Sequence, residues 1–295
     1  MEKIGFVGIG AVGSCMVQRL LAGGATVTVF DAEQKNMSPI VELGANPASS
    51  PAEVAAHSTL IITCADNDRE VEKVLIGHAG MLDAIQPGSV VVEITTSSPL
   101  TTRKIAALLA PKGADIIDAS FWGEPSDAAG GTLCFVVGGE ENVLTRCRPV
   151  LDHLGKKVIH VGELGAGHTV KAINMMMTGA NLVAAAEVVG LGAKAGLDRQ
   201  TMLKVLNVSS GENFITSNLF VKYVLPGNYD AGLTLTEMLQ AIRLGTQTAR
   251  ELDIPALLAT RAEQILALAE RQGLGVEDVT EIVPYIESLM GLHTK

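Results

Sequence analysis

Three glycines and one acid near the N-terminus carry the spacing of a phosphate-binding turn. Gly8, Gly10 and Gly13 form G-x-G-x-x-G, and Asp31 closes a second apolar run roughly twenty residues further on. Gly8 permits a tight turn, Gly10 lets backbone approach a pyrophosphate, and Gly13 lets a helix pack closely on a strand. The helix expected from Ala11 aims its free N–H groups and positive dipole end at the phosphates, so Ile9, Ala11 and Val12 belong to the same cradle. A carboxylate at Asp31 accepts hydrogen bonds from an adenosine ribose. A 2′-phosphate would set negative charge against it. Ala32 and Glu33 follow, no arginine is at hand, and Lys35 is the nearby cation. The expected chemistry is binding of a dinucleotide, NAD rather than NADP.

Such a turn needs strands and helices to hold it. Short apolar runs at 4–8, 26–30, 59–63, 89–94, 114–118, 133–137 and 157–160 read as strands. Helical patterns at 14–21, 69–75, 100–109 and 143–154 lie between several of them. The alternation predicts an α/β fold with a doubly wound parallel sheet. Residues 124–131, rich in Gly, Ala, Ser and Asp, read as a loop. Beyond Gly162 the strand signals stop, and helices are expected over 166–195, 199–208, 213–223, 234–252, 256–272 and 276–289. The expected domains are therefore 1–162, binding the dinucleotide, and 163–295, all-helical. The stretch 172–195 is apolar enough to suggest a membrane span. Asn174, Asn181, Glu187 and Lys194 interrupt it, so a helix buried on all sides in a soluble protein is expected. Its small residues suit packing against a second copy, which predicts a homodimer or homotetramer.

Composition narrows the function. The 295 residues carry 22 Lys and Arg against 32 Asp and Glu, a net charge of −10, without a basic run. That argues against nucleic acid as a partner. Cys15, Cys64, Cys134 and Cys147 are scattered and read as reduced thiols of a cytoplasmic protein. No His, Cys or carboxylate cluster has metal-ligand spacing. An apolar strand pattern begins almost at once, so no signal peptide is expected.

A second glycine-rich stretch, Gly165-Ala-Gly167-His-Thr-Val-Lys171-Ala-Ile-Asn174, adds to Gly5-Phe-Val-Gly-Ile-Gly-Ala-Val-Gly13. With Glu93-Ile-Thr-Thr96-Ser-Ser-Pro99 and the Asp118-Ala119…Thr132-Leu133 frame, it resembles the β-hydroxyacid dehydrogenase family along essentially the whole chain. That family includes 3-hydroxyisobutyrate dehydrogenases and tartronate semialdehyde reductases. The resemblance implies a Rossmann N-terminal domain and a catalytic lysine at Lys171. The chemistry is coherent: alcohol oxidation releases a hydride and a proton, and a lysine whose pKa burial lowers can take the proton. His168 and Asn174 share its helix face at i−3 and i+3. Asn174 can hold the lysine or a substrate oxygen, whereas His168 reads as a polar residue near the domain junction. The resemblance also places Thr96 at the nicotinamide and substrate, and Ala65, Asp66 and Gln240 at the cofactor.

The chain departs from the family pattern where substrate is expected. The usual Asp-Ala-Pro-Val-Ser-Gly-Gly is Asp118-Ala-Ser120-Phe121-Trp122-Gly123-Glu124 here. Trp122 removes a hydroxyl and adds an aromatic wall, and Glu124 adds a negative charge. Met175 stands for a second asparagine, Ala65-Asp66 for Leu-Pro, and Gln240-Ala241 for Lys-Asp. Both charge changes make the pocket less suited to a small carboxylate. The reading is an NAD-dependent dehydrogenase whose substrate, contacting Ser120, Trp122, Gly123, Glu124, Asn174 and Thr96, is bulkier, neutral or amine-bearing. The alternatives are an imine reductase-like enzyme and a non-catalytic dinucleotide-binding protein, and the retained Lys171 counts against both.

Overall fold

The computed structural model describes residues 2–292. It divides into two compact units, 1–171 and 172–295, that meet within one long helix. The first unit opens with β1 (Ile4–Val7), α1 (Ala11–Ala22), β2 (Val27–Phe30), α2 (Gln34–Glu42), β3 (Asn46–Pro47) and α3 (Pro51–His57). It continues through β4 (Leu60–Thr63), α4 (Asp68–Ile76), β5 (Val90–Glu93), α5 (Pro99–Leu109) and β6 (Asp115–Trp122). Next come α6 (Pro125–Gly130), β7 (Leu133–Gly138), α7 (Glu141–Leu154), β8 (Gly155–Gly162) and the start of α8 (Ala166–Lys194).

The eight strands form one sheet in the order β3-β2-β1-β4-β5-β6-β7-β8. Strands β1, β4 and β5 are buried along their whole length, which is why Ile-Gly-Phe-Val, Leu-Ile-Ile-Thr and Val-Val-Val-Glu read as continuous rather than alternating apolar runs. The strand order reverses between β1 and β4, so the crevice for a ligand lies at their carboxyl ends. There Gly8 has φ +96°, and a Cβ on it would stand 1.9 Å from the Cys64 carbonyl oxygen. A Cβ on Gly13 would stand 2.2 Å from the Gly8 oxygen, whereas one on Gly10 would meet nothing within 4 Å. Two glycines close the turn on itself and the third leaves space in front of it.

The sheet is not wholly parallel, as the sequence suggested. β7 pairs antiparallel with β6, and β8 is parallel to β7. Residues 123–132 are too few for a crossover, so the chain must turn back. β6 also runs past Asp118 to Trp122, because β7 supplies a partner as far as Trp122↔Cys134. The segment expected as a loop contains α6 instead. Pro125 begins that helix, the Asp127 carboxylate accepts from the Glu124 amide at 2.9 Å, and Gly131 at φ +68° ends it. The helices α2 and α3 and the short strand β3 went unread, although Ser50-Pro51-Ala-Glu53 is a start signal in which the Ser50 hydroxyl accepts from the Glu53 amide.

The second unit is helical, with α9 (Arg199–Leu206), a π-helical segment (Ile215–Val224), α10 (Leu235–Glu251), α11 (Leu257–Arg271) and α12 (Ile282–Leu289). Thr234 and Glu237 form the capping box that starts α10. The last helix is shorter than expected. The Asp278 carboxylate accepts from the Gly232 and Thr280 amides, and Val279 N donates to the Leu233 oxygen, which draws the chain off a helical path. α8 was expected to be buried on every side and is not. Leu182, Val183, Ala186 and Val189 join the core, while Ile173, Met177, Val188 and Leu191 are 59, 66, 48 and 67% exposed. At about 100° per residue these four fall within roughly 60° of one another, a single open apolar stripe. Within a single chain one apolar face of the helix is covered and the other is open.

The three glycines of the turn should separate in experiment. Gly13→Ala forces overpacking and lowers the stability of the unliganded protein by about 1–3 kcal/mol. Gly10→Ala leaves that stability unchanged but removes the thermal stabilisation conferred by added dinucleotide. Melting curves with and without NAD decide this, and equal behaviour of the two variants would refute the assignment.

Candidate active site

The site is organised by an acid in the middle of β6. Asp118 is fully buried; one carboxylate oxygen accepts from the Gly165 amide at 2.6 Å and the other from the His168 amide at 2.7 Å. Those amides belong to the residue that precedes α8 and to its first turn, where N–H groups have no partner within the helix, and the negative charge also sits at the positive end of its dipole. The approach is close: a Cβ on Gly167 would stand 2.6 Å from the Val136 oxygen and 2.8 Å from Asp118 Oδ2. The second glycine of Gly165-Ala-Gly167 is thus a packing requirement.

His168 follows, wholly buried. Its Nε2 lies 3.1 Å from Glu93 Oε2 and its Nδ1 is 2.7 Å from the Thr102 hydroxyl of α5. Burial opposes protonation of the ring, but the Glu93 carboxylate beside it, with Asp118 and Asp68 further off, outweighs that and raises its pKa above the usual 6.5. Glu93 Oε1 accepts from the Thr95 amide at 2.8 Å, and the Thr95 hydroxyl accepts from the Ala65 amide at 2.9 Å. A continuous set of polar contacts thereby links the start of α8 to the segment after β4, beside the glycine turn.

One turn beyond His168 stands Lys171. Its Nζ donates to the Phe121 carbonyl oxygen at 2.8 Å and lies 4.7 Å from the centre of the Trp122 ring and 5.9 Å from that of Phe121. Removal from water draws its pKa down to about 8. A lysine in that state can exchange a proton near neutral pH.

At the dinucleotide turn, Asp31 Oδ2 accepts from the Ile9 amide at 2.6 Å, and Oδ1 accepts from the Glu33 amide at 2.8 Å and from Asn36 Nδ2 at 3.1 Å. Lys35, the neighbouring cation, lies 3.7 Å from Glu33. Gly10 and Ala11 are exposed at the start of α1, whose cap residue offers no side chain to the first amides. This arrangement fits a dinucleotide through the uncapped first amides of α1, the open approach over Gly10 and a carboxylate held in place, while the Ile9 amide expected in the cradle is taken by Asp31.

The other residues singled out by sequence are spread more widely. Ser120 is fully buried, and among the described residues its hydroxyl has no hydrogen-bond partner. Trp122 ends β6, Gly123 follows it at φ +141°, and Glu124 is exposed just before α6. Ala65 joins the Thr95 contact, Thr96 stays outside it, and Asp66 is exposed. Asn174 lies one turn past Lys171 on α8, and Gln240 is exposed on α10. Sequence reading missed the roles of Asp118, Glu93 and Thr102 and placed His168 too loosely. The available signal was an acid inside or ending an apolar strand, at Ile-Ile-Asp118 and Val-Val-Val-Glu93. Among the described residues no group of three His, Cys, Asp or Glu could hold a metal ion.

Residues 3–162 match the family model for the NAD binding domain of 6-phosphogluconate dehydrogenase, and residues 165–286 match that for the NAD-binding domain of NADP-dependent 3-hydroxyisobutyrate dehydrogenase. The 2-(hydroxymethyl)glutarate dehydrogenase of Eubacterium barkeri is 35% identical over 98% of this chain and 96% of its own. The NAD-dependent L-serine dehydrogenase of Pseudomonas aeruginosa is 28% identical over 99% of this chain and 100% of its own. Among solved structures, Mycobacterium tuberculosis 3-hydroxyisobutyrate dehydrogenase with L-serine superposes with a TM-score of 0.89 at 26% identity, covering 97% of this chain and 99% of that one.

The buried His168–Glu93 contact has a pH signature. Because the folded-state pKa of His168 is raised, its contribution to stability is complete below about pH 6.5 and is lost as pH rises through the folded value. The melting temperature should therefore fall over that interval in the wild type, and the fall should be absent in His168→Gln. Parallel pH dependence in the two proteins would contradict the assignment.

Proposed function

The chain belongs to the β-hydroxyacid dehydrogenase family, and on that premise we propose that Lys171 is the proton-transfer group of an alcohol dehydrogenation that uses NAD. Dehydrogenases of this family bind a nicotinamide dinucleotide, which when bound accepts the hydride. This chain's own work is then to hold the alcohol and take its proton. The observation that carries the proposal is the placement of Lys171 Nζ, one hydrogen bond from the Phe121 oxygen at the end of β6, with its pKa drawn down to about 8. Neutral Lys171 takes the proton in the oxidising direction, so that rate rises with pH through about 8. Its ammonium returns the proton in the reducing direction, which fades over the same interval.

NAD is favoured over NADP by the fixed carboxylate of Asp31 and by Lys35 lying beside Glu33. The substrate proposed is a β-hydroxyacid-like alcohol that is bulkier or less anionic than a simple small hydroxy acid, meeting Trp122, Gly123, Glu124, Asn174, Thr96 and Ser120. Trp122 offers an aromatic face and Glu124 a carboxylate that can pair an amine. Two of the similar proteins carry L-serine, an amino-bearing alcohol, in their descriptions.

Reduction of NAD and NADP, followed across small hydroxy acids and their aromatic and amino-bearing analogues, tests this reading. NAD should be preferred, with the larger or amino-bearing alcohols turning over fastest, and Lys171→Ala should lose about 10²–10⁴-fold in kcat/KM. Undiminished turnover in Lys171→Ala removes the lysine from the mechanism. A preference for small acids that Trp122→Ser/Glu124→Gly does not strengthen removes the pocket argument.

The open stripe on α8 supports a homodimer or homotetramer, because a contiguous apolar helix face is a surface that association covers. Sedimentation should show a species of at least two chains, shifted toward one chain by Leu191→Asp. A monomeric wild type refutes the proposal.

A further inference from the structure

Lys171 is an ammonium with three N–H donors and one protein acceptor, the Phe121 carbonyl oxygen. Burial without a counter-charge disfavours the charged form, and among the described residues the groups around Lys171 offer no carboxylate in compensation. From β6, Asp118 is committed to the Gly165 and His168 amides. From α8 itself, His168 is turned to Glu93 and Thr102. Glu124, beyond the strand end, is exposed. No charged group contributes to the shift of the lysine; desolvation is its sole cause. What faces the ammonium is the π-surface of Trp122 at 4.7 Å, with the Phe121 ring further off at 5.9 Å. Side chains alternate along a strand, so Asp118, Ser120 and Trp122 share the face of β6 on which α8 begins. The register that caps the helix therefore also delivers the indole to the lysine.

We propose that Trp122 is a positioning residue for Lys171, its indole face holding the ammonium against the end of β6 and favouring the protonated lysine. The inference deepens the reading of Lys171 as the proton-transfer group. Desolvation and the ring then act in opposition: one lowers the pKa, and the other draws it back toward the charged form. Replacing the ring by an alkyl group of moderate size keeps much of the desolvation and loses the attraction. The lysine of Trp122→Leu should titrate lower than that of the wild type, and Trp122→Phe should fall between them. Oxidation by Trp122→Leu should accordingly reach its plateau at a more acidic pH.

Trp122 is the only tryptophan in the chain, so its emission is a local probe of this contact. In the full-length protein, with and without NAD, emission between about pH 6 and pH 10 should show a transition that Lys171→Met abolishes. The pH dependence of Lys171 acetylation, quantified by mass spectrometry, should move its midpoint down by about one pH unit in Trp122→Leu and by less in Trp122→Phe. The midpoint of the kcat/KM profile for oxidation should move with it. A transition that survives Lys171→Met, or a midpoint that stays fixed or rises in Trp122→Leu, overturns the proposal. The emission and acetylation readouts do not depend on turnover. If they behave as expected while Lys171→Ala remains active, the ring contact stands and the proton-transfer reading falls.

Discussion

A helix of twenty-nine residues has to begin at a defined height against the sheet, and the Asp118 carboxylate fixes that height. Its two oxygens take the amide just before α8 and one in its first turn, in a place from which water is excluded. Each amide left unpaired there would forfeit the desolvation energy of a buried polar group, about 1–3 kcal/mol. Everything that depends on the rotation and level of α8 therefore depends on this contact: His168 turned to Glu93, Lys171 brought to the strand end, and the close passage of Gly167 over the Val136 oxygen.

The buried polar groups around the start of α8 form one system. Glu93 takes the Thr95 amide with one oxygen and sits beside His168 with the other, and Thr95 in turn takes the Ala65 amide. The loop after β4, the end of β5 and the start of α8 are thus tied through side chains and amides together. Such a system is stiff only while every member is present, because a buried polar network with one partner removed is worse than an apolar replacement. The dinucleotide turn lies next to it at Gly8, whose neighbour across the crevice is the Cys64 carbonyl.

Much of this was legible in the chain. The glycine turn, the central strands and the all-helical second half follow from local signals: spacing, apolar runs and period. The antiparallel β7 was not, because strand direction is set by the length of residues 123–132 and not by β7's own apolar residues. The short helix α6 was hidden by its Gly, Ala and Ser content, although Pro125 and Asp127 mark its start. Lys171 was singled out through a motif, with Trp122 in the same pocket, but the Phe121 oxygen it meets and the Asp118 and Glu93 contacts that place its helix were not. Phe121, Trp122, Glu93 and Asp118 reach it or its helix from strands that are distant in sequence and meet only in the folded sheet. The stripe on α8 could not be placed from sequence, because hydropathy does not distinguish an apolar face covered within the chain from one left open by it.

The antiparallel turn at β7 also acts as a ruler. Because β7 and β8 run back down the sheet, α8 starts beside Asp118 and climbs in the same direction as the rest of β6. From His168 to Lys171 the helix rises about 4.5 Å, whereas from Asp118 to Phe121 the strand advances about 10 Å. The two tracks diverge by more than 5 Å in three residues, and the roughly 6 Å stem of a lysine spans that gap. A shorter side chain at position 171 would fall below the Phe121 oxygen whatever its acidity, so reach as well as basicity selects the residue there.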